Sequence, residues 1–245
     1  MASDAAAGPP LPEANATKAE RRVRFGGLLA VVFAAFLLSG LSEPGRFGEA
    51  TRSLLNGATL ILALLAAEAK TRVIRGMTAF VVIAVIVGVL IALTGNEPDE
   101  ASGRGIDALL LGMALPAVAI GTMRNLQREG TVTLEAVSGV LTIYILFGMF
   151  FAALFGFISQ VQGAPVFNGE AGAAASSVAH CIYYSFTTLT TVGYGDLTTK
   201  ANLTHTLSVC EALVGQIYLV TVVSLIVSNL GRTHGFRSRS ERSAE

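Results

Sequence analysis

Six apolar runs separated by short polar segments organise the chain, at residues 25–41, 54–67, 77–93, 106–123, 132–158 and 203–230. A helix needs about 20 apolar residues to cross a hydrocarbon core about 30 Å thick, so the pattern predicts six transmembrane helices. The run at 54–67 is the shortest, and it reaches spanning length if Arg52 and Glu68 lay their stems along the helix. Residues 1–24 carry no apolar period and are predicted to be a disordered tail. Between the fifth and sixth runs, 176–189 has the length of a short helix that enters the membrane without crossing it. No internal repeat is present.

Composition agrees with that pattern. Of 245 residues 52% are hydrophobic and 14% charged, and the mean hydropathy is +0.62, which is too apolar for a soluble domain of this length. Lys plus Arg and Asp plus Glu balance at 17 each, so net charge gives no reason to expect a nucleic-acid partner. Placement matters more, because basic residues gather on the cytoplasmic side of short loops. With both termini cytoplasmic, that side holds Lys18, Arg21, Arg22, Arg24, Lys70, Arg72, Arg75, Arg124, Arg128, Arg232, Arg237, Arg239 and Arg242. The outer side keeps Arg46, Arg52, Arg104 and Lys200, with the acidic Glu97, Asp99 and Glu100. The first run, ending at Ser39 and Gly40, also fits a cleaved signal peptide, although cleavage would break this alternation. Cys181 and Cys210 both lie in apolar stretches and are expected to be buried thiols. Asn202-Leu203-Thr204 is a glycosylation sequon on the outer side, discounted because the Ala- and Gly-rich, Trp-free composition looks prokaryotic.

The candidate chemistry lies between the fifth and sixth runs, in Tyr183-Tyr184-Ser185-Phe186-Thr187-Thr188-Leu189-Thr190-Thr191-Val192-Gly193-Tyr194-Gly195-Asp196. The string Thr-Val-Gly-Tyr-Gly-Asp, after an aromatic-rich short helix and before an apolar one, resembles the selectivity filter of potassium channels. A dehydrated potassium ion needs a shell of oxygens, which backbone carbonyls aimed at one axis supply. Aiming successive carbonyls one way requires alternating backbone conformations, some at positive φ, which Gly193 and Gly195 reach without strain. The resemblance implies carbonyls of Thr191, Val192, Gly193 and Tyr194 as stacked rings of K+ ligands, with the Thr191 hydroxyl as the innermost ring. Tyr183, Tyr184 and Tyr194 would pack behind the filter, with Thr187, Thr190 and Asp196 supporting it. A closed ring of carbonyls needs several loops and the chain has one, so the resemblance implies a homotetramer. The fold expected is therefore all-α: six transmembrane helices, a re-entrant pore helix and a filter, in a tetrameric pore. No organic cofactor is expected.

The sixth run adds an acid and a glycine. Glu211 is an ionisable residue at membrane depth and so a functional candidate. Many potassium channels carry a pore-helix Glu, paired with the filter Asp, where this chain has Thr187. Glu211 is expected behind the filter, bonded to pore-helix hydroxyls. Gly215 stands where similar channels carry an inner-helix hinge, and a bend or a close helix contact would each explain it. Gln216, Leu219, Val223 and Val227 share one stripe, assigned to the cavity face.

In six-span potassium channels the first four helices usually form a voltage sensor with Arg or Lys at every third position of the fourth. Residues 106–123 contain neither, and Pro116 is expected to interrupt that helix. Residues 25–130 thus read as a sensor-like bundle without gating charges, 131–230 as the pore domain, and 231–245 as a short basic tail. Gating candidates are the filter, lipid contact through the tail, and protons at His180 and His205. A cation transporter subunit is disfavoured, since potassium transporters with related loops carry four non-identical ones. A regulatory subunit that needs conducting partners stays open. An enzyme would need a polar cluster at membrane depth, where the sequence has Glu211 alone.

Overall fold

The computed structural model describes residues 12–41, 46–67, 76, 79, 100–129, 134–169 and 175–242. Six helices lie in these segments: α1 Pro12–Leu41, α2 Arg46–Ala66, α3 Glu100–Glu129, α4 Leu134–Gln162, α5 Val178–Leu189 and α6 Asn202–Arg242. Three of them, over Arg104–Arg124, Ala136–Gln162 and Asn202–Val222, are long and apolar enough to cross a membrane. The apolar parts of α1 and α2, Phe25–Leu41 and Leu54–Ala66, are shorter. The expected span at 77–93 lies outside the described residues.

Three expectations change. First, α1 begins at Pro12, inside the segment expected to be disordered. Proline suits a first helical turn, and the Ala, Glu, Lys and Arg that follow form helices without being apolar. Second, α3 runs straight through Pro116. The ring removes one backbone hydrogen bond, and the helix persists because its other face is packed: Ala114, Ala117 and Val118 are buried while Pro116 is exposed. Third, Cys181 is buried but Cys210 is exposed, on the outward side of α6.

The helices pack in the order their apolar faces allow. Helix α4 touches α1, α3, α5 and α6, and α2 lies against α1 and α3. Leu28, Val32, Leu60, Leu110, Leu111, Val118 and Leu146 form one continuous core across α1 to α4. The first helices are thus fused to the fifth-run helix through shared packing. A second core, of Phe151, Phe155, Phe167, Cys181 and Ile182, joins α4 to the short helix α5. Phe36 of α1 reaches the same helix, with its ring 4.6 Å from that of Phe186. By contrast α6 leaves Leu203, Val209, Leu213, Ile217 and Val220 exposed, an apolar surface that one protomer does not cover.

Candidate functional site

The site is built on α5 and the loop that follows it. Ser177 caps α5, its hydroxyl accepting from the His180 amide at 3.1 Å. The residue before it is held from three sides. The Ser176 amide donates to Ser159 Oγ (2.7 Å), its hydroxyl accepts from the Val166 amide (3.0 Å), and its carbonyl accepts from Arg104 Nη1 (2.7 Å). Farther along, the strand-like pairing of Phe167 with Thr199 clamps the loop before α5 to the loop after the Thr-Val-Gly-Tyr-Gly-Asp string.

The string itself has an alternating backbone. Thr191, Gly193 and Gly195 adopt φ of 59°, 49° and 81°. Glycine takes such values freely, whereas a β-branched residue does so only when its surroundings enforce them, at a cost of about 1–3 kcal/mol. What enforces them is α5. The amides of Val192 and Gly193 both donate to the Thr187 carbonyl, at 2.9 and 3.0 Å. In a trans peptide the carbonyl points opposite to the next amide, so the Thr191 and Val192 carbonyls point away from α5, side by side. Among the described residues, no hydrogen bond uses the carbonyls of Thr191, Val192, Gly193 or Tyr194. The string therefore presents a row of uncommitted oxygens. Its side chains are exposed in the single protomer, Val192 by 52% and Tyr194 by 71%.

The neighbouring side chains divide into two groups. Tyr183 stacks on Tyr194, with rings 6.2 Å apart and 4° from parallel. Its hydroxyl donates to Asp196 Oδ2 at 2.8 Å, which holds that carboxyl below the usual range. A tyrosine one turn earlier thus occupies the partnership that Thr187 lacks. The Thr187 and Thr190 hydroxyls turn back to the carbonyls of Tyr184 and Phe186, at 3.0 and 2.6 Å. Tyr184 points away from this group, among Phe155 and Phe167, with its hydroxyl donating to Ser208 of α6 at 2.7 Å.

Helix α6 closes the site from behind. Glu211 is fully buried and its Oε1 is hydrogen-bonded to Ser185 of α5. Gly215 is buried too, and a Cβ there would stand 2.6 Å from the Leu189 carbonyl oxygen at the end of α5. The observed role of this glycine is close contact. The same carbonyl accepts from the Tyr144 hydroxyl of α4 at 3.3 Å, and Tyr218 donates to the Val140 carbonyl at 2.6 Å. Gln216 and Leu219 are exposed in the protomer. Val223 and Val227 lie on α6 with side chains outside the described set. His205 meets the Thr199 carbonyl at 2.7 Å, and His180 is exposed.

Sequence reasoning missed a polar group beside α5. A cavity of about 40 Å3 is lined by Ser39, Arg52, Asn56, Arg104 and Asp107 on one side and by Cys181 and Ile182 on the other. Arg52 and Asp107 are buried. Their positions near the ends of apolar runs give the ordinary signal of interface residues, so nothing in the one-dimensional pattern separates them.

Residues 139–232, less than half of the chain, match a family model described as Ion channel. The match begins within α4 and takes in α5, the string at 191–196 and α6 as far as Arg232, the elements that build the site. It supports an ion channel, and the apolar helices support a membrane protein. No solved structure matches the chain.

Proposed function

We propose that this chain is the subunit of a potassium-selective channel that conducts passively, assembles as a homotetramer and lacks voltage sensing. The observation that carries the reading is the row of free carbonyls over residues 191–194, held by positive φ at Thr191, Gly193 and Gly195. Potassium is the cargo. Four such rows around one axis would surround a dehydrated ion with oxygens, with the Thr191 hydroxyl as the innermost ring. The exposed filter side chains and the uncovered apolar face of α6 support further subunits and lipid as partners. In the complete fold, six spans surround a re-entrant α5, with both termini cytoplasmic. Residues 25–130 form the sensor-like bundle and 131–230 the pore domain, followed by a basic tail facing lipid headgroups.

The reading that voltage sensing is lacking is supported by α3. Its only basic residues over 104–124 stand at the two ends of that stretch, where each is tied to a backbone carbonyl. Arg104 bonds Ser176 as above, and Arg124 Nη1 donates to the Ala67 carbonyl at 3.0 Å. No basic residue stands between them, and the acid that does, Asp107, is buried at the cavity that Arg52 and Arg104 also line.

The test is flux from liposomes holding the purified chain, with cross-linking to read its assembly. Barium-sensitive potassium efflux from a tetramer supports the proposal. Equal sodium and potassium flux, or flux from a species that is not a tetramer, refutes it.

A further inference from the structure

Glu211, Ser185 and Gly148 form a buried chain across three helices, and counting its protons fixes the state of the acid. Ser185 Oγ lies 2.7 Å from the Gly148 carbonyl oxygen of α4 and is also hydrogen-bonded to Glu211 Oε1 of α6. Ser185 and Glu211 are both fully buried within a single protomer. A hydroxyl has one proton to donate, and a backbone carbonyl can only accept. If the Ser185 proton serves Gly148, the contact with Glu211 needs a second proton, which only the carboxyl can carry. If it serves an ionised Glu211, two lone-pair oxygens face each other at 2.7 Å with nothing between them. That ionised carboxylate would also be badly placed. Its Oε2 has no hydrogen-bond partner, and among the described residues no Lys, Arg or His bonds to it. A buried charge needs pairing far more than a buried neutral acid does.

We infer that Glu211 is a protonated carboxylic acid that donates to Ser185, which in turn donates to the Gly148 carbonyl. Two protons then fill two contacts and tie α6, α5 and α4 together behind the filter. The consequence reaches the filter through α5. Ser185 precedes by two residues Thr187, whose carbonyl holds the Val192 and Gly193 amides. Glu211 is thus a positioning residue, setting the seat of the helix from which the carbonyl row hangs. The proton assignment rests on geometry alone, whereas its effect on conduction rests on the channel reading above.

The experiment is infrared difference spectroscopy on the full-length protein in lipid at neutral pH, wild type against Glu211→Gln, with and without 13C-glutamate. A protonated-carboxyl band that the isotope shifts and the variant lacks is the expected result. A difference confined to carboxylate bands overturns the assignment. Unfolding equilibria supply the second arm, since an amide N–H can replace the O–H donor. Glu211→Gln should stay within about threefold of wild type, while Glu211→Ala and Ser185→Ala each lose about tenfold or more, as expected when a buried hydrogen-bonding group is orphaned. Glutamine as damaging as alanine would mean that the charge is what matters and would overturn the inference. If the band is present and no variant or wild-type protein conducts, the channel reading fails and the proton stays assigned.

Discussion

Replacing Gly215 by alanine would place a methyl carbon 2.6 Å from the Leu189 carbonyl oxygen and 2.8 Å from Leu189 Cδ1. Ordinary contact begins near 3.4 Å, so α6 and the end of α5 must separate by about 0.8 Å. Trimming Leu189 would not relieve the clash, because the nearest atom belongs to the backbone. Overpacking of this kind costs about 1–3 kcal/mol. Alanine returns about 1 kcal/mol as the better helix former, and with a rigid backbone atom as the obstacle we expect a net loss of about 1–2 kcal/mol. That corresponds to roughly a 5- to 30-fold shift toward the unfolded state. The control is Gly26→Ala on α1, where a Cβ meets nothing within 4 Å, and which should gain up to about 1 kcal/mol. Denaturant titration of both variants in mixed micelles, followed by circular dichroism, reads the two signs. A Gly215→Ala protein as stable as wild type or more so would refute the contact and leave the glycine as a hinge.

Three further outcomes are expected. The Tyr183 hydroxyl keeps the Asp196 carboxyl below the usual range, so this bond contributes fully above about pH 3.9 and is lost as pH falls through the lowered value. Tyr183→Phe should move the Asp196 titration upward in carboxyl 13C NMR, and an unchanged midpoint would contradict the pairing. Arg104→Ala removes a charged donor from the Ser176 carbonyl and should cost about 1.5–3 kcal/mol of stability, with Arg104→Lys recovering part; a variant as stable as wild type would refute the tie. A charge crossing the whole field yields about 2.3 kcal/mol per 100 mV, and α3 has no basic residue between Arg104 and Arg124. Open probability in lipid bilayers should therefore be nearly flat with voltage, and a steep curve that survives removal of blocking ions would refute that.

The parts of the site that were legible in the sequence are those where backbone geometry dictates residue type. Gly193 and Gly195 stand where φ is positive, so the string announces its own conformation. Thr191 adopts the same region and could not be read, because a β-branched residue ordinarily avoids it and yields here to two amide bonds onto Thr187. The short helix was legible from the length of 176–189, whereas its start at Val178 behind the Ser177 cap was read from the structure. The partner of Asp196 was not legible, since it depends on the rotation of α5, which turns Tyr183 toward Tyr194 and Asp196 and Tyr184 toward α6. Glu211 was visible as a lone acid in an apolar run and was expected to bond hydroxyls of the short helix; that the hydroxyl is Ser185 depends on how the two helices are set in register. Helices are described over five of the six apolar runs, and the runs missed the fusion of α1 to α4 into one core, because period alone does not say which faces meet.

The central claim is that the carbonyl row selects potassium. The most direct measurement is the reversal potential of the purified chain in a planar bilayer, with potassium on one side and sodium on the other. The account predicts a barium-sensitive current reversing far toward the potassium equilibrium potential. A current reversing near zero would contradict it.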